Sequence, residues 1–269
     1  MSDQGPQWYR PPTGSNSGPY GQRGPFERGR SRITSHDPKS LIWIIIIVAV
    51  LVILIRSHHV SSLEVIIFCT IVPSIILHEI AHGYVALLFG DDTAKRAGRL
   101  TLNPISHVDP VGTLIVPALL ALSGLGFFGW AKPVPVNLSK LRSPRNHGVL
   151  VALAGPATNL TLAALAVLVF KVLSFNLYAP PGIVERVVYI FGLMNVSLAI
   201  FNLLPIPPLD GSVLIERMLP RAWWPGYLAI RRYSMPILIG LVVLNFYMNP
   251  GPITWVFNQV NIWWGRLVL

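Results

Sequence analysis

The sequence predicts an all-α polytopic membrane protein, with about five to six transmembrane helices, a re-entrant segment and a short β-like strand on the cytoplasmic side. Three observations carry that expectation. The chain is 52% apolar and only 12% charged, about half the charged share of a soluble domain. Its mean hydropathy is +0.57. Its apolar residues gather in long runs separated by short basic segments, the pattern of a chain whose solvent is lipid. These values argue against a disordered protein and against an ordinary soluble enzyme. The single cysteine, Cys69, lies inside an apolar run and allows no intrachain disulfide.

Residues 1–40 differ from the rest. They hold six Gly, six Pro, five Arg and Lys39 against Asp3, Glu27 and Asp37. Such a stretch buries too little apolar surface to offset its ordering entropy. It reads as a disordered basic tail, not as a secretory signal peptide, because the apolar run begins too late. The tail suits either a solvated topogenic flank or attraction to anionic headgroups. Residues 41–269 form the expected transmembrane domain, with a core at 60–235. The first run, 41–55, spans about 22 Å as a helix, and Lys39 and Arg56 can snorkel to extend it. Further runs cover about 60–89, 111–128, 149–175 and 184–209. A last region, 236–268, is broken by Asn249-Pro250-Gly251-Pro252. The Trp pairs at 223–224 and 263–264 read as interfacial anchors.

Charge between the runs sets orientation. The excess of 21 Lys and Arg over 11 Asp and Glu gives +10, a sign that fits nucleic-acid binding or asymmetric membrane loops. Position favours the loops, so no nucleic-acid partner is expected. The basic residues fall in the tail, in Lys95, Arg96, Arg99, Lys132, Lys140, Arg142 and Arg145, and in Arg217, Arg221, Arg231 and Arg232. The positive-inside rule puts these three regions, and hence the N-terminus, in the cytoplasm. The run 60–89 then crosses inward, 149–175 outward and 184–209 inward. The run 111–128 lies between two cytoplasmic segments, so it is expected to re-enter and leave on one side, covered by protein or lining a cavity.

The run 60–89 contains His78-Glu79-Ile80-Ala81-His82, an HExxH. Residues four apart share a helix face, so His78 and His82 can present two imidazole nitrogens to one zinc ion. Glu79 can reach a zinc-bound water as general base. Ionisable groups at membrane depth are costly and mark function. A catalytic zinc site usually takes a third protein ligand. Asp210, in Asn202-Leu203-Leu204-Pro205-Ile206-Pro207-Pro208-Leu209-Asp210-Gly211, is the carboxylate at the end of an apolar run on the same side. Pro205, Pro207 and Pro208 break the helix before it. The runs that hold the two motifs cross in the same direction, so His78, His82 and Asp210 are expected at similar depth, near the cytoplasmic face.

HEIAHG, NLLPIPPLDG and the intervening GPATN resemble the site-2 protease family of intramembrane zinc metalloproteases, over most of residues 60–235. The segments at 98–104, 107–110 and 129–137 resemble a compact prokaryotic subgroup without PDZ or CBS domains. The resemblance implies one zinc ion held by His78, His82 and Asp210, with Glu79 as base. It implies that Asn202 helps hold the substrate strand. It implies hydrolysis of peptide bonds in or near transmembrane segments, in a bacterial plasma membrane, with anti-sigma factors or signal-peptide remnants as substrates and the bilayer as the partner surface. Three further features stay open between two readings. His107 and Asp109 either line the active-site approach or add to metal binding, or they form a turn before a re-entrant helix. Pro135 and Val136, within 129–137, either hold unwound substrate by strand addition or belong to a plain connection. Asn159 either contacts substrate or bonds between helices. Zinc proteases that take a glutamate as third ligand would have only Glu185 and Glu216 available after Glu79. A catalytically inactive membrane scaffold or a metal transporter is the alternative from another class. An inactive relative would usually lose Glu79 or a ligand, and a transporter would spread polar residues along several spans.

Overall fold

The computed structural model describes residues 62–117, 129–173, 182–248 and 251–268. The tail 1–40, the run 41–55 and residues 118–128 of the expected re-entrant segment lie outside the described residues.

In lipid every backbone N–H and C=O must be bonded within the chain, and a helix does this segment by segment. The apolar runs fold accordingly. Helix α1 is Ser62–Leu88, α3 is Pro144–Leu173 and α4 is Ile183–Asn202, with 27, 30 and 20 residues. At about 1.5 Å per residue each reaches or exceeds the roughly 30 Å of a bilayer core. They are the three described helices long and apolar enough to cross a membrane. The short α2, Thr93–Arg96, follows α1, and α5, Ser212–Met218, follows the loop after α4. Helices α6, Trp224–Arg231, and α7, Ser234–Tyr247, meet at a 65° bend and form either one broken span or a re-entrant pair. Helix α8 is Pro252–Val268, of 17 residues. The described residues thus hold three candidate spans, or four with the bent pair, against the five to six expected for the whole chain.

Helices α1, α3 and α4 pack on one another and carry the core. Close approach depends on small residues. Ala163 and Ala166 of α3 pack beside Trp264 of α8. A Cβ on Gly192 of α4 would run into the same indole. Trp264 is 3% exposed, and its Nε1 donates to the Tyr189 carbonyl at 3.1 Å. It is therefore a core residue and not the interfacial anchor its pairing with the exposed Trp263 suggests. Asn195 of α4, fully buried, donates to Ser74 Oγ of α1 at 2.9 Å and to the Phe191 carbonyl. Thr70, Ser74, His78 and His82 recur every four residues and form one buried polar stripe on α1.

The connections between the helices differ from expectation in one respect. No strand occurs among the described residues, so the short β-like strand at 129–137 is not a paired strand. Pro133 and Pro135 have no N–H to donate to a ladder. The N–H groups of Trp130, Lys132 and Val134 go instead to the carbonyls of Gly112 and His107 and to the Glu79 carboxylate. At the far end of the segment Asp91, fully buried, accepts from the Asn137 N–H at 2.6 Å, from the Thr93 N–H at 3.0 Å and from the Thr93 hydroxyl. Val136 packs against Ala86, Leu141 and Val151. Asp91 therefore fastens the segment to the end of α1.

Burial alone would raise the Asp91 pKa. The hydrogen bonds from Thr93 and Asn137, with the Lys140 charge, outweigh it and hold the carboxyl below its ordinary value. A depressed folded pKa stabilises the fold above the unfolded carboxylate value of about 3.9. That contribution is lost as pH falls through the lower folded value. Asp91→Asn is expected to unfold about 2–4 °C lower than wild type at pH 7. The gap should stay constant down to about pH 4 and shrink below it, as thermal unfolding in detergent at pH 7, 5 and 3 would measure.

Candidate metal centre

Two turns in the C-terminal half of α1 present His78 and His82 toward α3. Both are buried, at 6% and 9% exposure. The His82 Nδ1–H donates to the Val151 carbonyl of α3 at 2.7 Å. A neutral imidazole with its proton on Nδ1 has its lone pair on Nε2. The His78 ring touches the Asn159 amide of α3 through Nδ1 at 3.2 Å. The two Nε2 atoms lie 3.0 Å apart.

The third group arrives from α4. That helix ends at Asn202, where Pro205, Pro207 and Pro208 prevent its continuation. The chain then folds back through turns, and the Gly211 N–H closes the loop on the Asn202 carbonyl at 2.7 Å. Gly211 lies against the Leu203 backbone so closely that any Cβ would collide with it. This closed loop aims Asp210 inward. Its Oδ2 lies 3.1 Å from His78 Nε2 and 3.4 Å from His82 Nε2. The three ligand atoms form the one such metal-competent group among the described residues.

Their chemistry and spacing fit a zinc ion. Ligands placed tetrahedrally at about 2.0–2.1 Å from zinc lie roughly 3.3–3.4 Å from one another. Asp210 Oδ2 is buried with the two imidazole Nε2 atoms at 3.1 and 3.4 Å, and a cation between them would offset the cost of burying a carboxylate oxygen. Two imidazole nitrogens and a carboxylate oxygen are a donor set that zinc takes. The floor of the site is Gly155 of α3. A Cβ there would stand 2.5 Å from the Nε2 atoms of both histidines, so a hydrogen is all that the position admits.

Glu79 flanks the trio. Its Oε2 accepts the Val134 N–H at 2.8 Å. The segment that carries this N–H is pinned by Arg99, 8% exposed, whose Nη2 donates to the Lys132 carbonyl at 2.6 Å and the Pro133 carbonyl at 3.3 Å. Burial draws the Arg99 guanidinium below its usual pKa, and the Glu79 charge opposes that shift. Arg99, Val134 and Gly155 were not legible as site residues. Gly155 alone left a signal, as the small residue of GPATN.

The other candidates are placed as follows. Asn159 is fully buried against His78. The Asn202 side chain donates back to the Leu198 carbonyl at 2.9 Å, and its main chain anchors the Asp210 loop. His107, 3% exposed, donates Nε2–H to the Thr101 carbonyl at 2.8 Å, and its own carbonyl accepts the Lys132 N–H. The structure does not bring it to the trio. Asp109 caps the turn Pro110–Ile115 by accepting from the Val111 and Gly112 N–H groups. Pro135 is exposed, and Val136 is half-buried. Glu185 lies in the first turn of α4, at the helix end away from Asp210. Glu216 accepts from the Tyr227 hydroxyl at 2.8 Å and pairs with Arg231 at 3.1 Å. Neither glutamate joins the metal-competent group.

A buried pair of histidines and a carboxylate, with a glutamate beside them and membrane-length helices around them, defines a membrane-associated metallohydrolase. The model of peptidase family M50 matches residues 174–244, the part that includes Asn202 and Asp210. YwhC of Bacillus subtilis is 46% identical over 157 residues, 56% of this chain and 68% of that protein. Rip2 of Mycolicibacterium smegmatis is 31% identical over 188 residues, 70% of this chain and 68% of that protein. Both bear zinc-metalloprotease names. MJ0392 of Methanocaldococcus jannaschii, named as a zinc metalloprotease, is 22% identical over 202 residues, 74% of this chain and 48% of that protein. No solved structure matches. The chain belongs to peptidase family M50, the site-2 protease family.

Gly155→Ala puts a methyl group against both Nε2 atoms. Its zinc affinity is expected to fall at least about ten-fold, measured by competition with a chromophoric chelator. Unchanged affinity would show that the histidines do not converge over Gly155.

Proposed function

We propose that this zinc metalloprotease hydrolyses peptide bonds in or near transmembrane segments of other membrane proteins. The carrying observation is the convergence of His78 Nε2, His82 Nε2 and Asp210 Oδ2 within 3.0–3.4 Å, beside Glu79 and among helices of membrane length. Family membership and the names of YwhC and Rip2 support zinc and proteolysis.

In this reading His78, His82 and Asp210 hold one zinc ion. When bound, zinc supplies a Lewis acid that lowers the pKa of water to about 7 and polarises a carbonyl. The chain's own residues do the rest. Glu79 takes a proton from the attacking water as the water oxygen bonds to the scissile carbonyl carbon. It returns that proton to the amide nitrogen as the C–N bond breaks. The Val134 N–H holds one Glu79 oxygen and leaves the other for the proton. Buried Arg99 keeps the Val134 segment in place.

A substrate helix has its backbone bonded internally and must unwind before it can be cut. The segment 129–137 suits an unwound strand, as Pro135 and Val136 suggest from sequence. The N–H groups of Trp130, Lys132 and Val134 face the protein. In extended chain the intervening residues face the other edge, where Pro135 has a carbonyl and no N–H, while the Pro133 carbonyl is shared with Arg99. A substrate strand would therefore donate its own N–H groups there. Asn202 is the further residue proposed to hold substrate, and His107 supports the segment from behind.

The chain is proposed to lie in the plasma membrane as a five- to six-span protein, its N-terminus and active site on the cytoplasmic side. The placement of its basic segments supports this. Substrates are membrane proteins with a transmembrane helix, with anti-sigma factors or signal-peptide remnants as the kinds that the family resemblance implies. Glu79→Gln is expected to keep its zinc and to lose cleavage by at least ~100-fold. The check is a gel assay on a helical membrane substrate beside a zinc determination. Normal cleavage would refute the assignment.

A further inference from the structure

The contact between Asn159 and His78 has two chemical meanings. As placed, the Asn159 Nδ2 faces His78 Nδ1 at 3.2 Å, and Oδ1 is buried without a partner. The two ends of an amide have nearly the same shape, so the position of the side chain does not distinguish N from O. The 3.2 Å separation suits either end of the amide, so the distance does not choose between them.

Proton accounting does choose. An imidazole that gives Nε2 to a metal carries its proton on Nδ1. The His78 Nδ1–H then needs an acceptor, and an amide NH2 is not one. His82 already follows this rule, because its Nδ1 lies 2.7 Å from the Val151 carbonyl, which can only accept. For His78 the neighbour at Nδ1 is Asn159, fully buried on α3.

We propose that Asn159 is a positioning residue for the metal centre, turning its Oδ1 to accept the His78 Nδ1–H and so directing the Nε2 lone pair at the metal. The inference rests on the zinc reading given above. It makes α3 the common support of both histidines, through a main-chain carbonyl for His82 and a side-chain carbonyl for His78. With Nδ2 toward the ring, the His78 proton would sit on Nε2 and face Asp210 Oδ2 at 3.1 Å, which blocks that ligand position.

The orientation is tested with Asn159→Asp and Asn159→Leu in the full chain. Aspartate can only accept at this position, and leucine can do neither. The readouts are zinc affinity by chelator competition and the visible spectrum of the cobalt-substituted protein. Asn159→Asp is expected to bind zinc within about three-fold of wild type and to keep the wild-type cobalt bands. Asn159→Leu is expected to bind 10–100-fold more weakly, with altered bands. If the leucine variant does not fold, the aspartate variant decides alone. An aspartate variant that misfolds, or that loses affinity as leucine does, overturns the proposal. So does a leucine variant that binds like wild type. Failure of the zinc reading itself is distinguishable, because wild type would then bind no stoichiometric zinc.

Discussion

Three atoms able to bind a metal ion, His78 Nε2, His82 Nε2 and Asp210 Oδ2, face one another at 3.0–3.4 Å in a buried site among apolar helices. In such surroundings electron-rich groups repel, and each has lost its water. A divalent cation among them reverses the sign of every one of those interactions. Much of the architecture serves this convergence. Helix α1 supplies the histidines four residues apart. Helix α3 comes close enough to touch both rings only because residue 155 is glycine. The prolines and Gly211 after α4 turn Asp210 back toward the two histidines.

Glu79, the proposed base, is held by a separate device. Glu79 is one residue beyond His78, so α1 directs it to the edge of the trio rather than into it. Its partner is a backbone N–H on a segment whose prolines keep it out of any sheet. Asp91 at one end and Arg99 in the middle fasten that segment to the helical frame. The same segment thus touches the proposed base and, in the proposed reading, the substrate strand. That reading would tie the handling of a substrate to the placement of the proton acceptor.

Much of the site was legible in the sequence because its chemistry is incompatible with lipid. Glu79 and Asp210 stand out in a chain with 11 acidic residues, and the HExxH spacing of α1 states its own geometry. The long helices α1, α3 and α4 were legible for the same reason, since apolar runs in lipid have few alternatives. The supporting groups were hidden. Val134 acts through its main chain, which any residue but proline supplies. Arg99 looked like one more basic loop residue until its burial against two carbonyls was visible. Trp264 matched an interfacial anchor by composition, yet it packs beside Gly192 and Ala166. The 129–137 segment read as extended, but its donors are spent on loops and on Glu79, which local sequence does not encode.

The central claim is that one zinc ion sits between α1 and the loop after α4, bound by two imidazoles and the Asp210 carboxylate. Zinc K-edge X-ray absorption on the purified full chain, beside Asp210→Ala, tests it most directly. The wild type is expected to show two imidazole nitrogens at about 2.0–2.1 Å with carboxylate and solvent oxygens. A changed shell and weaker retention of zinc are expected in the variant. An identical spectrum in both proteins, or a shell with only one imidazole, would contradict it.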